Sequence, residues 1–138
     1  MAQGYADYDV VNYGFGLYAF TAGITTSLVP PVRTNRAVVI DIHVNATIVF
    51  TQVTTPAFVR LGTAASAARY AELNMGATAA GASLNLPATG KYNPSNPNAF
   101  FNIDLVRDAV SAVQMQVVAM TGGSPTGTGY LNVALGWS

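Results

Sequence analysis

The sequence predicts an all-β protein, one antiparallel β-sandwich of about eight strands, with a jelly roll as the preferred form. Apolar and polar residues alternate with a period of two wherever a period can be read. Turns rich in Pro, Gly, Asn and Ser separate the alternating runs. The chain has 138 residues, which fits one domain, and eight strands folded as two sheets suit that length.

We predict strands over residues 12–20, 37–50, 57–62, 69–75, 82–86, 100–107, 113–120 and 129–137. In the second of these, alternation places Val38, Ile40, Ile42 and Val44 together on one face. A helical turn is plausible only over residues 64–68, where alanines cluster.

The last three strands rest on the same alternation. The apolar series are Phe101, Ile103 and Leu105, then Val113, Met115 and Val117, then Leu131, Val133, Leu135 and Trp137. The residues between them, which include Gln114, Gln116, Tyr130 and Asn132, are expected on the opposite faces. The glycine-rich turn over residues 122–125 separates the last two strands.

Charge is sparse. Six basic residues balance six acidic ones, and charged residues make up 9% of the chain, against about 25% in a typical domain. This composition offers no basic surface for nucleic acid and no polybasic patch for a membrane. Net charge near zero favours self-association. Cysteine is absent, which excludes disulfides and thiolate metal sites, and we expect no targeting segment and no membrane span.

Catalytic and metal-binding groups are few. The chain has one histidine, His43, and a Ser-His-Asp triad would pair it with Asp41, yet no serine sits in a strained Gly-x-Ser-x-Gly turn. Asp41 and His43 on one strand face could instead supply two metal ligands, with Asp104 as a third. An exposed polar strand face is the simpler interpretation. We therefore predict no catalytic residue, no metal and no cofactor.

The N-terminal segment is the most distinctive part of the chain. Aromatic residues crowd residues 5–20, and rings of this kind are enriched at protein interfaces. We predict an N-terminal arm over residues 1–11 that extends from a single β-sandwich domain over residues 12–138. Alternatively, a sugar could stack on aromatic rings, with Tyr5, Tyr8, Tyr13, Tyr92 and Trp137 as the candidates.

Three segments carry a resemblance to a known group of proteins. They are Ala57-Phe-Val-Arg-Leu-Gly-Thr-Ala64, Arg69-Tyr-Ala-Glu-Leu-Asn-Met-Gly76 and Ala79-Ala-Gly-Ala-Ser-Leu84, followed later by Gly129-Tyr-Leu-Asn-Val-Ala-Leu-Gly-Trp137. This pattern resembles small tailed-phage virion structural proteins, among them jelly-roll capsid decoration (cement) proteins. The likeness covers about half of the chain and consists of strand and turn patterns, so it carries over no functional residue.

The resemblance implies a non-enzymatic capsid decoration protein on the virion surface, made in the host cytoplasm. Its partners would be the major capsid protein and further copies of itself, as a homotrimer. The residues we expect at these contacts are Tyr5, Tyr8 and Tyr13 and, in the polar loop, Asn93, Asn96 and Asn98. The alternative function is a head- or tail-associated adhesin or carbohydrate-binding module.

Overall fold

Two antiparallel sheets pack face to face in a computed structural model that describes residues 9–29, 36–52, 54–64, 66–92, 102–104 and 113–137. The elements are β1 (Asp9–Ala19), β2 (Ile24–Leu28), β3 (Arg36–Thr51), β4 (Phe58–Gly62), β5 (Ala71–Asn74), β6 (Ser83–Asn85), α1 (Leu86–Thr89), β7 (Lys91–Tyr92), β8 (Asn102–Asp104), β9 (Val113–Val118) and β10 (Thr126–Trp137). Each of the eight predicted segments contains a strand, and the predicted all-β sandwich is confirmed.

The strand order is that of a jelly roll. Sheet A has the order β1-β10-β3-β6, with β8 also paired to β3, and sheet B has the order β2-β9-β4-β5-β7. With the short β7 and β8 left aside, the remaining strands form four nested antiparallel pairs: β1 with β10, β2 with β9, β3 with β6, and β4 with β5. One long hairpin folded over into two sheets has this connectivity.

The core lies between the sheets and is built by the predicted alternation. Leu131, Val133, Leu135 and Trp137 of β10 are all buried, as are the alternate residues of β9. The largest apolar side chains of β10 are thus removed from water on the face of the strand that meets sheet B. Burial of apolar surface is the main force that stabilises such a sandwich.

For the first half of β3, the prediction of which side chains point to the core is wrong. Ala37 and Val39 are buried, whereas the sequence pattern had assigned Val38 and Ile40 to the face of Ile42. The cause is a β-bulge: Leu135 pairs with Val39 but the preceding Ala134 pairs with Asp41, so β3 accommodates one extra residue. An extra residue reverses the facing of everything beyond it.

Three short elements were not predicted. β2 carries only two apolar residues, Ile24 and Leu28, so its alternation is weak. The single-turn helix α1 begins after Asn85, whose side chain accepts a hydrogen bond of 2.9 Å from the backbone N–H of Ala88. The third is β7. The helical turn predicted over residues 64–68 is also wrong, because the described residues there form turns.

Sheet A begins earlier than the predicted domain. Asp9 pairs with Trp137 at the start of β1, so residues 9–11 of the predicted arm belong to the sheet. Residues 1–8 lie outside the described residues, and the division into an arm and a domain stays a prediction. Within the described ranges, no helix has the length and apolar character to cross a membrane.

Candidate binding surfaces

Tyr13 is the one predicted contact residue that the structure describes. Its hydroxyl donates a hydrogen bond of 2.5 Å to the carbonyl oxygen of Val29 and accepts one of 2.9 Å from the indole N–H of Trp137. Burial raises the pKa of Tyr13 above its ordinary value, and the hydrogen bond from Trp137 lowers it by less. The hydroxyl therefore joins β1 to the end of β2 and to β10 within the chain.

The other predicted contact residues, Tyr5, Tyr8, Asn93, Asn96 and Asn98, lie outside the described residues. Their role as contacts stays a prediction. Among the candidates for sugar stacking, Trp137 cannot offer its ring to a sugar, because its side chain is 1% exposed.

The structure does not bring together Asp41, His43 and Asp104, the three residues considered as alternative metal ligands. Asp41 Oδ2 and His43 Nδ1 are 3.9 Å apart, and Asp41 Oδ1 accepts a hydrogen bond of 3.2 Å from the backbone N–H of Leu86. In the register between β8 and β3, Asp104 lies opposite Arg36. Arg36 precedes Asp41 by five residues, a distance of roughly 17 Å along the strand. Within the described ranges, no three potential metal ligands of the His, Asp, Glu and Cys types come together.

The polar side chains around His43 form a hydrogen-bonded chain without an activated nucleophile. His43 Nε2 lies 3.1 Å from Asn45 Oδ1, and the hydroxyl of Ser83 donates to the same oxygen. A triad requires the serine hydroxyl to hydrogen-bond to the imidazole itself. Here an amide lies between the two groups, so the imidazole cannot accept the proton of Ser83.

These side chains belong to the outer face of sheet A, where two cross-strand rows run from β1 to β6. The rows are Leu17–Tyr130–Asn45–Ser83 and Gly14–Asn132–His43–Asn85, and we call them the two amide rows. Directly opposed residues point to the same side of a sheet. All eight are exposed or half-buried, while the residues between them face the core. The alternation around Tyr130 and Asn132 predicted that both face away from the core, but not that they meet His43 and Asn45.

A second surface lies at one margin of the sandwich. β1 is the edge strand of sheet A and β2 the edge strand of sheet B, and the Tyr13–Val29 hydrogen bond holds the two together. Four of the seven exposed large apolar side chains in the described part of the chain lie here: Val10, Leu17, Ile24 and Val29. We call these four residues the edge patch. The sequence did not reveal the edge patch, because the patch depends on which strands form the edges of the two sheets.

A small polar cavity lies on the outer face of sheet B. It measures about 120 Å³ and is lined by Thr25 of β2, by Gln114 and Gln116 of β9, and by the turn that follows β4. The buried Oε1 of Gln116 has no hydrogen-bond partner within the described residues. A cavity of this size and polarity suits ordered water.

Comparison with known proteins gives one structural likeness. No protein-family model matches the chain, and no curated protein sequence matches it. The chain is similar in structure to a solved chain described as cyanophage Pam1 capsid asymmetric unit, with a TM-score of 0.46 and 18% sequence identity. The alignment covers 100% of this chain and 92% of that chain.

Proposed function

We propose that this chain is a non-enzymatic structural protein of a tailed-phage virion, a decoration or cement protein that binds the outer capsid shell. The observation that carries the proposal is the edge patch. Exposed apolar side chains concentrate on the two edge strands of one margin, beside the open backbone of an 11-residue strand. Such an edge pairs with, or packs against, a neighbouring chain.

The sparse charge supports the same function. With 9% charged residues and no net charge, the surface lacks the electrostatic repulsion that keeps free proteins apart. A protein that is bound to a capsid shell needs little electrostatic repulsion to stay in solution. The same composition supports the absence of nucleic acid and membrane from its partners.

The mechanism is cementing by repeated contacts. Each copy buries its edge patch against the major capsid protein or against the next copy, as in a homotrimer at a symmetry axis of the shell. Individually modest contacts add up because the copies bind together. Binding to the assembled shell stabilises it by mass action. The protein would then reside on the outer capsid surface after synthesis in the host cytoplasm.

The test is binding of the purified chain to shells from a phage whose copy of this gene is deleted. Sedimentation of the shells should carry the chain down at a saturable ratio set by the shell symmetry. If the predicted arm contributes contacts and not core packing, a double Tyr5→Ala, Tyr8→Ala variant should show lower occupancy with an unchanged melting temperature. Light scattering should give three times the 14.3 kDa of one chain. Absence of the chain from the sedimented shells would overturn the proposal.

A further inference from the structure

We infer that the two amide rows on the outer face of sheet A form a binding site for a neutral carbohydrate, with the ring of Tyr130 as its stacking surface. This site adjoins the edge patch, with which it shares Leu17, but its other members are polar or aromatic, and it goes beyond the decoration function. Its parts are an exposed ring, an open notch beside that ring, and polar groups whose hydrogen-bonding capacity is only partly used within the described residues.

The exposed ring belongs to Tyr130, near the middle of β10. Its side chain is 53% exposed, although its neighbours along β10 on the core side are buried. Its cross-strand partners are Leu17 and Asn45. An aromatic ring in this setting offers an apolar face for the C–H groups of a sugar and a hydroxyl at its edge.

The notch lies over Gly14, which pairs with Asn132. A Cβ atom placed on Gly14 would have Oδ1 of Asn132 as its nearest neighbour, at 3.8 Å. The space above Gly14 is therefore open, and one oxygen of the Asn132 amide faces it. A ligand that stacks on Tyr130 reaches this oxygen, because alternate residues of a strand on one face are about 7 Å apart.

Several polar groups of the two amide rows have unused hydrogen-bonding capacity. Asn45 Oδ1 already accepts from His43 and Ser83, which fixes the side chain and leaves its NH₂ group unpaired within the described residues. The amide nitrogen of Asn132 makes a long contact of 3.4 Å with Asn12 Oδ1, and its oxygen stays available. The Tyr130 hydroxyl has no partner in the same part of the chain. A polyhydroxyl ligand, which donates and accepts at every carbon, suits such a set.

Charge selects the class of carbohydrate. Apart from the phenol of Tyr130, Asp41 and His43 are the ionisable side chains that the described residues place in or directly beside the two amide rows. No lysine or arginine belongs to either row. Among the described side chains there, a sulfated or phosphorylated glycan would meet the carboxylate of Asp41 and no lysine or arginine. The ligand class is therefore a neutral hexose or N-acetylhexosamine oligosaccharide.

The experiment is a glycan array probed with the full chain, followed by calorimetric titration of the best neutral oligosaccharide. Tyr130→Ala should weaken binding by about tenfold or more, and Tyr130→Phe should retain most of it. Gly14→Val should abolish binding because it fills the notch, while Gly14→Ala reduces it less. Thr25→Ala, on the outer face of sheet B, is the matched control and should bind as the natural chain does. Unfolding curves establish that each variant is folded.

Two results overturn the inference. One is an array on which the chain binds no neutral glycan above background. That result is expected if the natural partner of this face is a protein and not a sugar. The other is glycan binding that Tyr130→Ala and Gly14→Val leave unchanged. Neither result affects the shell-binding proposal, which depends on the edge patch and is measured on shells.

Discussion

At the scale of single residues, Tyr13 connects three strands through one hydroxyl. Its side chain lies between the carbonyl of Val29 after β2 and the buried indole of Trp137 in β10. A hydroxyl that both donates and accepts in this way satisfies the buried indole N–H of Trp137 and ties it to the exposed segment at Val29. The sequence predicted an aromatic segment here with Tyr13 as an external contact, which stays a prediction, and no pattern indicated which of several tyrosines finds a partner within the chain.

Replacement of Tyr13 by Phe should lower the free energy of unfolding by about 1–3 kcal/mol, since it leaves the indole N–H of Trp137 without an acceptor. Urea denaturation followed by tryptophan fluorescence measures this change on the single tryptophan of the chain. Tyr130→Phe is the control: its hydroxyl is exposed, so we expect a change within about 0.5 kcal/mol. Equal stability of the two variants would show that the Tyr13 hydroxyl contributes nothing.

The same residue predicts a response to alkaline pH. Desolvation by burial raises the pKa of Tyr13, and likewise that of Tyr18, above the ordinary value of 10.0. A folded pKa above the unfolded one means that the neutral hydroxyl is favoured by folding. The stability it contributes is present below about pH 10 and is lost as the pH rises through the folded pKa.

We therefore expect the free energy of unfolding to fall as the pH rises above about 10, and a double Tyr13→Phe, Tyr18→Phe variant to lose less stability over that range. Urea denaturation at a series of pH values measures both slopes. An identical slope in the natural chain and the double variant would contradict this assignment.

At the scale of elements, the existence of the strands was predictable and their facing only in part. Alternation is a local property, so β9 and β10 were assigned to the correct faces from the sequence. The bulge in β3 between Val39 and Asp41 depends on pairing with β10, almost a hundred residues further along the chain. Local patterns carry no such information, and the weakly alternating edge strand β2 was missed for a related reason.

The candidate site shows the same division. That Tyr130 and Asn132 share a face opposite the core follows from the period of two along β10. That Gly14 lies beside Asn132 follows from the register between β1 and β10, which shifts at a bulge between Gly14 and Gly16. A one-residue error in that register would have placed other residues in the site.

A prediction at this scale concerns the turn after β4. A Cβ atom on Gly62 would overlap the backbone carbonyls of Ser66 and Ala67, which fold back over the strand. The turn is held by hydrogen bonds from the Thr63 N–H to Ser66 O (2.9 Å) and from the Arg69 N–H to the same oxygen (3.2 Å). Backbone atoms cannot rotate away as side chains can, so the turn must move.

Gly62→Ala should therefore cost about 1–3 kcal/mol of unfolding free energy. Gly14→Ala is the matched control: it lies in an open strand position and should be neutral or slightly stabilising. Thermal or urea unfolding compares the two. A Gly62→Ala variant as stable as Gly14→Ala would mean that the turn does not pack on the strand as described.

At the scale of the whole molecule, the segments that carry the resemblance supply much of the core and only part of the surfaces proposed for binding. The first two resembling segments contain β4 and β5, in which Val59, Leu61 and Leu73 are fully buried. A pattern of buried strand residues specifies the fold, whereas the function depends on the residues exposed at the surface. The edge patch lies on β1, on β2 and directly after β2, outside those segments, whereas Ser83, Tyr130 and Asn132 of the two amide rows fall within the β6 and β10 segments.

The central claim is that the edge patch binds the chain to its shell, and occupancy of gene-deleted shells by edge variants tests it most directly. Val10→Lys and Val29→Lys place charges at two exposed positions of the patch, so each should change folding stability by no more than about 0.5 kcal/mol. Charged edges resist pairing with a neighbouring chain. We predict that the double variant, folded as judged by its unfolding curve, occupies far fewer shell sites than the natural chain, while Ile48→Lys, at an exposed apolar position of β3 outside the patch, binds normally. Full occupancy by the double variant would contradict the account.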